Sequence, residues 1–246
     1  MIEISWKVKK WKGLWKTIWF PTANIEYNGD NLDDGTYKIN WVIDWIIYNW
    51  AWVYLKSKKL FEAHFFDLDK ILYWKNIEII IFKKIRENKK FKTLEEIKKQ
   101  IEKDLEIIKS EKSYVVTFWT FDIYHPGHEY YLKTSKKYAD KLITVIAKDS
   151  NVYKLKNIKC RNNETTRYSI VKNTNIPDVV VLWDLKDPLK IIKEYKPKVI
   201  CLGYDQKWFK HLLDDYIQET NLDIVIKRIG SYKEDKYKSS ILKEKK

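Results

Sequence analysis

The rhythm of apolar and polar positions changes once along the chain, near residue 110. Before that point it has the two-residue period of half-buried strands. Tyr37-Lys38-Ile39-Asn40-Trp41 alternates, and a second apolar run, Ile77 to Phe82, sits inside the strand expected over Asn76–Ile85. Asn28-Gly29 and Asp33-Asp34-Gly35 mark turns. The period then becomes helical, with Leu94, Ile97, Ile101, Leu105 and Ile108 in one stripe, and Thr93 and Glu96 at capping-box spacing. This predicts a β-rich first domain over 1–110, closed by a helix ending near Lys109, with Ser110–Ser113 as linker.

From Tyr114 short apolar runs alternate with helical stretches. Strands are expected at Tyr114–Phe118, Leu142–Ala147, Asp178–Leu182, Val199–Leu202 and Ile224–Arg228, with helices at Pro126–Ala139 and Pro188–Tyr195. That order implies a parallel sheet covered on both faces, as in Rossmann-like α/β domains, over 113–246.

Composition narrows the function classes. Apolar residues make up 45% of the chain, enough for two cores. The most apolar stretch, Ile39–Leu55, is broken by Asp44 and Asn49, so no membrane span is expected. The N-terminus has no basic segment followed by an apolar run, and Cys160 and Cys201 lack metal spacing, which together suggest a reducing cytoplasm. The net charge of +14 rests on 44 Lys against 4 Arg, a genome-composition signature. Nucleic-acid readers favour Arg, so nucleic acid is not an expected partner.

One compositional feature changes the picture. The chain has twelve Trp and six Gly, whereas an average chain of this length carries roughly 17 Gly. Read with glycine at Trp11, Trp15 and Trp19, the segment Trp11–Asn24 becomes G-K-G-L-G-K-T-I-G-F-P-T-A-N. Phosphate loops need glycine because backbone N–H groups must approach the anion closely, often at positive φ. A gene whose UGA codons mean glycine, translated with a table that reads UGA as tryptophan, gives this pattern.

So read, residues 1–110 resemble bacterial riboflavin kinases. The match continues through Leu60–Asp69 with Glu62, Leu72-Tyr73-Trp74-Lys75, Ile85-Arg86-Glu87 and Lys90-Phe91. The resemblance implies an all-β six-stranded barrel with a C-terminal helix. It also implies an ATP and phosphate loop containing Gly13 and Lys16, with Thr22 and Asn24 placing Mg²⁺ and the ATP phosphates. Glu62 would be the catalytic carboxylate and Arg86 would lie on the flavin side.

The second domain resembles the cytidylyltransferase-like nucleotidyltransferases, nearest to the FAD synthetases. With glycine at 119, Trp119-Thr120-Phe121-Asp122-Ile123-Tyr124-His125-Pro126-Gly127-His128 gives G-T-F-D-x-x-H-x-G-H. The resemblance makes His125 and His128 catalytic, at a helix N-terminus that attracts anions. Nucleotide-binding roles are implied for Thr120, Phe121, Asp122, Gly127, Lys154 and Arg167, and for Gly203, Tyr204, Asp205 and Gln206. Ser239 and Ser240 belong to a closing phosphate motif in which Lys243 stands where Arg is common.

Together these imply a cytoplasmic bifunctional enzyme making FMN from riboflavin and ATP, then FAD from FMN and ATP. The usual bacterial fusion places the transferase first; this chain reverses that order. One alternative keeps the kinase and gives the second domain cytidylyl transfer to another phosphate acceptor. If the Trp residues are native, Lys7, Lys9, Lys10, Lys12 and Lys16 interleaved with Trp6, Trp11, Trp15 and Trp19 suit a single-strand nucleic-acid platform.

Overall fold

A computed structural model describes residues 1–7, 22–64, 76–184, 186–206, 210–237 and 242. The chain divides between Glu111 and Lys112 into two compact units.

The first unit contains β1 (Ile2–Lys7), β2 (Thr22–Glu26), β3 (Gly35–Ile43), β4 (Ile46–Leu55), β5 (Leu60–His64), β6 (Asn76–Arg86) and α1 (Leu94–Ser110). The strands form one antiparallel sheet in the order β1-β6-β3-β4-β5-β2. All six expected strands are present, with β1 and β2 as its edges among the described residues. Alternation sorts the faces: Ile77, Ile79 and Ile81 are buried while Glu78 is exposed. They pack with Ile25, Ile39, Phe61, Trp41 and Trp52, the last two only 1% and 0% exposed.

The β3–β4 hairpin turns through two residues, Asp44 at φ 49° and Trp45 at φ 68°. Two positive φ angles in a two-residue loop make a type I′ turn, whose twist matches the flanking strands and whose preferred sequence is Asn-Gly or Asp-Gly. A left-handed conformation costs an L-residue about 1–2 kcal/mol.

Helix α1 begins as its sequence predicts. The Thr93 side chain accepts from the Glu96 amide, and the Glu96 carboxylate reaches back to the Lys92 amide, one residue earlier than a standard box. Asp104, 1% exposed on α1, receives Arg86 through Nε at 2.8 Å and Nη2 at 2.7 Å, and Gln100 at 2.9 Å. This bidentate pair fastens the end of β6 to the helix.

The second unit runs β7 (Tyr114–Trp119), α2 (Pro126–Lys136), β8 (Lys141–Ile146), α3 (Asp149–Lys156), α4 (Glu164–Asn173), β9 (Val179–Leu182), α5 (Lys190–Tyr195), β10 (Val199–Gly203), α6 (Lys210–Thr220) and β11 (Val225–Ile229). Its five strands are all parallel, in the order β11-β10-β7-β8-β9. Successive strands move outward from β7 to β9, then return to the other side of β7. The ends of β7 and β10 are therefore the switch point where such sheets bind ligands. Helix α2 stops at Lys136, short of the expected Ala139, because the Lys137 and Tyr138 amides turn back to Thr134 and Ser135.

Candidate functional site

In the first unit, backbone register assembles the expected kinase positions. Strands β2 and β5 pair with Asn24 opposite Glu62 and Thr22 opposite His64. Directly opposed positions of an antiparallel pair share a face, and alternate positions along a strand do too. Thr22, Asn24 and Glu62 therefore occupy one face, while Ile25 and Phe61 bury the other. Gly13 and Lys16 lie outside the described residues. The expected flavin-side residue Arg86 is committed to Asp104 and, through Nη1, to the Glu87 carbonyl at 3.0 Å.

In the second unit the site grows from the end of β7. The chain reverses at Phe121, fully buried at φ 56°. Asp122 pins the turn: its Oδ1 accepts from the Arg161 amide at 2.7 Å and the Asn162 amide at 3.0 Å. His125 caps α2, with Nδ1 accepting from the Gly127 amide at 3.1 Å, and Pro126 opens the helix. That bond fixes the neutral tautomer, leaving Nε2 of His125 as the protonated nitrogen.

The two imidazoles stack with centroids 3.8 Å apart. His128 is 3% exposed, and its Nδ1 has no partner among the described residues. A buried polar atom without a partner is rare in a folded chain, and this one belongs to a residue that lines a cavity. Burial lowers the pKa of both histidines; for His128 the drop is large, and the neighbouring His125 adds to it. Both are therefore neutral at pH 7. Position 127 has to be glycine: a Cβ there would lie 2.9 Å from His125 Nδ1 and 3.2 Å from the Tyr237 carbonyl oxygen.

These groups open into a cavity of about 300 Å³. Thr120, Asp122, His125, Gly127 and His128 line it from the β7–α2 side; Gly203, Tyr204, Asp205 and Gln206 line it from the end of β10. Three expected residues stand elsewhere. Phe121 lies beneath the turn. Lys154 is an exposed α3 residue, and Lys156 lines the cavity in its place. Arg167 is 0% exposed and braces the wall, donating to the Thr120 carbonyl, to Asp149 Oδ1 at 2.6 Å and to the Asn162 carbonyl at 3.0 Å. Ser239 and Ser240 lie outside the described residues. Among the described residues no group of three or more His, Cys, Asp or Glu is placed to hold a metal.

Sequence reasoning missed Arg228 on β11. Its Nη1 donates to the carbonyls of Gly203 at 2.7 Å, Gln206 at 3.0 Å and Tyr204 at 3.3 Å. Gln206 closes the same loop from the other side, donating to the Phe118 carbonyl and accepting from the Gly203 amide at 2.8 Å. The signal was available: in a chain of 44 Lys, each of the four Arg deserved inspection as a place needing a planar fork.

Residues 116–245 match the cytidylyltransferase-like family model. The chain belongs to that family. Ahead of this cytidylyltransferase-like domain, residues 1–111 match the riboflavin kinase family model. FAD synthase of Methanocorpusculum labreanum is 38% identical over 48% of this chain and 83% of its own length. FAD synthase of Thermoplasma volcanium is 34% identical over 53% of this chain and 92% of its own length. A Thermoplasma volcanium crystal structure described as a lipopolysaccharide core biosynthesis protein, 34% identical, aligns with TM-score 0.46 over 50% of this chain and 99% of that one. Among the described residues no helix is long and apolar enough to cross a membrane.

Proposed function

We propose that the protein phosphorylates riboflavin to FMN in its first unit and adenylylates FMN to FAD in its second, using ATP for both. The observation that carries the second step is the stacked His125–His128 pair at the N-terminus of α2, facing the cavity at the switch point.

In the second step a phosphate oxygen of FMN attacks the α-phosphorus of ATP. The bond from that phosphorus to the bridging oxygen breaks, and pyrophosphate leaves. The FMN phosphate is already an anion, so no strong base is needed; stabilising the developing charge is the main task. Neutral His125 donates from Nε2, and His128 offers its Nδ1 edge to a phosphate oxygen. The amides opening α2 add the helix-terminal field. The Gly203–Gln206 loop, braced by Arg228, forms the nucleotide's side of the cavity.

In the first step the riboflavin 5′-hydroxyl attacks the γ-phosphorus of ATP, and ADP leaves. Glu62 takes the hydroxyl proton. Thr22, Asn24 and Glu62 bring oxygen-bearing side-chain types to one face of the β2–β5 ladder, the donor chemistry that Mg²⁺ prefers. Held there, Mg²⁺ would neutralise phosphate charge.

The test incubates protein purified from its natural source with riboflavin, ATP and Mg²⁺ and separates the flavins by chromatography. FMN followed by FAD is expected. FMN alone would sink the adenylyl-transfer reading and direct attention to CTP and other phosphate acceptors; unchanged riboflavin would sink the kinase.

A further inference from the structure

One tryptophan, Trp45, stands at a backbone site shaped for glycine, and another, Trp119, lines the nucleotide cavity. We infer that the working protein carries glycine at positions 45 and 119. Two separate observations lead there.

Trp45 is the second residue of the two-residue β3–β4 loop, with φ 68° following Asp44 at 49°. Glycine adopts this conformation without a Cβ conflict; a bulky L-residue does not. Burial gives little in return, since Trp45 is 47% exposed. With glycine the loop reads Asp-Gly, the strongest short hairpin signal.

Trp119 is the last residue of β7, where β7 and β10 end side by side. Its ring lies against Gly203 so closely that a Cβ there would come 1.7 Å from Cζ3 and 2.2 Å from Cη2. Gly203 is thus the only residue type that position tolerates beside the indole. The ring also packs on Tyr131 at 5.0 Å and His128 at 5.8 Å. It fills the angle between the two strand ends, beside the imidazole whose Nδ1 awaits a partner. With glycine at 119 the ring's volume joins the cavity, and the strand-to-helix backbone becomes approachable by phosphate. Trp41 and Trp52 differ: they are buried in the first core, against Tyr48 at 4.5 Å and Phe61 at 6.4 Å, and the inference does not extend to them.

Two assays test this without reference to the reaction. Peptide mass spectrometry of protein from the natural source should find glycine at 45 and 119, and the gene should carry UGA at both codons. Tryptophan in the peptide, or UGG in the gene, overturns the inference at that position. The functional arm rests on the proposed adenylyl transfer. Recombinant Trp119→Gly should bind a non-hydrolysable ATP analogue, by calorimetry, at least about tenfold more tightly than the tryptophan form, a difference of about 1.4 kcal/mol. The first unit is identical in both chains and cancels. Equal affinity overturns the inference at 119, and Trp119→Ala supplies the comparison if the glycine form does not fold. Trp45→Gly should raise the Tm by about 4 °C; an unchanged or lower Tm overturns the hairpin half. Tight analogue binding by Trp119→Gly with no FAD made from supplied FMN would sink the proposed reaction and leave the glycine inference standing.

Discussion

The His125 and His128 rings lie 3.8 Å apart and 22° from parallel, His125 capping the helix and His128 sealed one turn inside it. In the proposed adenylyl transfer His125 Nε2 and His128 Nδ1 are the two nitrogens assigned to phosphate, and the pair is proposed to work as one charge-stabilising surface. Replacing either with Asn should lower the rate of FAD formation from supplied FMN by about 10²–10³-fold, the usual loss of one stabilising donor. Riboflavin phosphorylation by the same chain, followed chromatographically, should be unchanged.

Their pKa shifts also set a pH dependence. Burial makes both imidazoles bind protons less readily in the folded chain, with His125 adding to the effect at His128. Below about pH 6.5, the ordinary imidazole value, the unfolded chain therefore takes up more protons than the folded one. The stability is fully present above that value and is lost as pH falls through the depressed folded values. Thermal melts of the second unit from pH 7.5 to 5 should show falling Tm, and His128→Asn should flatten the decline. A pH-independent Tm in the parent would contradict the burial argument.

Arg228 touches no reacting group yet organises the loop that lines the cavity. Arg228→Gln should raise the KM for ATP in FAD formation by about tenfold with a smaller change in kcat, because the loop positions substrate rather than reacting. Arg228→Lys should recover only part, since its shorter side chain holds the ammonium farther from the three carbonyls that Nη1 serves. A fall in kcat alone would point instead to direct contact with the reacting phosphates.

Asp104 and Arg86 form a pair with one carboxylate almost wholly enclosed. Removing one partner of such a pair strands the other, so Asp104→Ala should destabilise the first unit by about 3 kcal/mol in urea unfolding, the lower end of the buried-pair range because Arg86 keeps some solvent. Arg86→Lys should fall between the two.

Glu62→Gln should reduce FMN formation by about 10²–10⁴-fold, the span expected for loss of a general base. FAD formation from supplied FMN should be retained; loss of both would indicate unfolding.

The sequence was most legible where local chemistry decides structure. Thr93 and Glu96 announced α1, the run Leu142–Ala147 announced β8, and the strand–His–Pro–Gly–His order announced the capped helix. It was less legible where tertiary register decides. Nothing near Asn24 says that it faces Glu62, a pairing across 38 positions set by the Ile25–Phe61 core contact. Arg167 read as a nucleotide ligand because its motif is local, while its burial depends on Asp149 and Thr120 arriving from other elements. Lys154 and Lys156 stand two apart on one helix and therefore project in different directions, which a motif read without helical phase cannot separate.

The opposition of Asn24 and Glu62 makes the kinase half a matter of parity. A strand slipped by two keeps every position on its face; a strand slipped by one exchanges the faces. Lengthening β2 by one residue upstream of Ile25 would carry Thr22 and Asn24 round to the apolar side while leaving the core pair Ile25–Phe61 in place. Insertions of even and odd length in this short edge ladder should therefore have opposite consequences for catalysis, though they add nearly the same mass and charge.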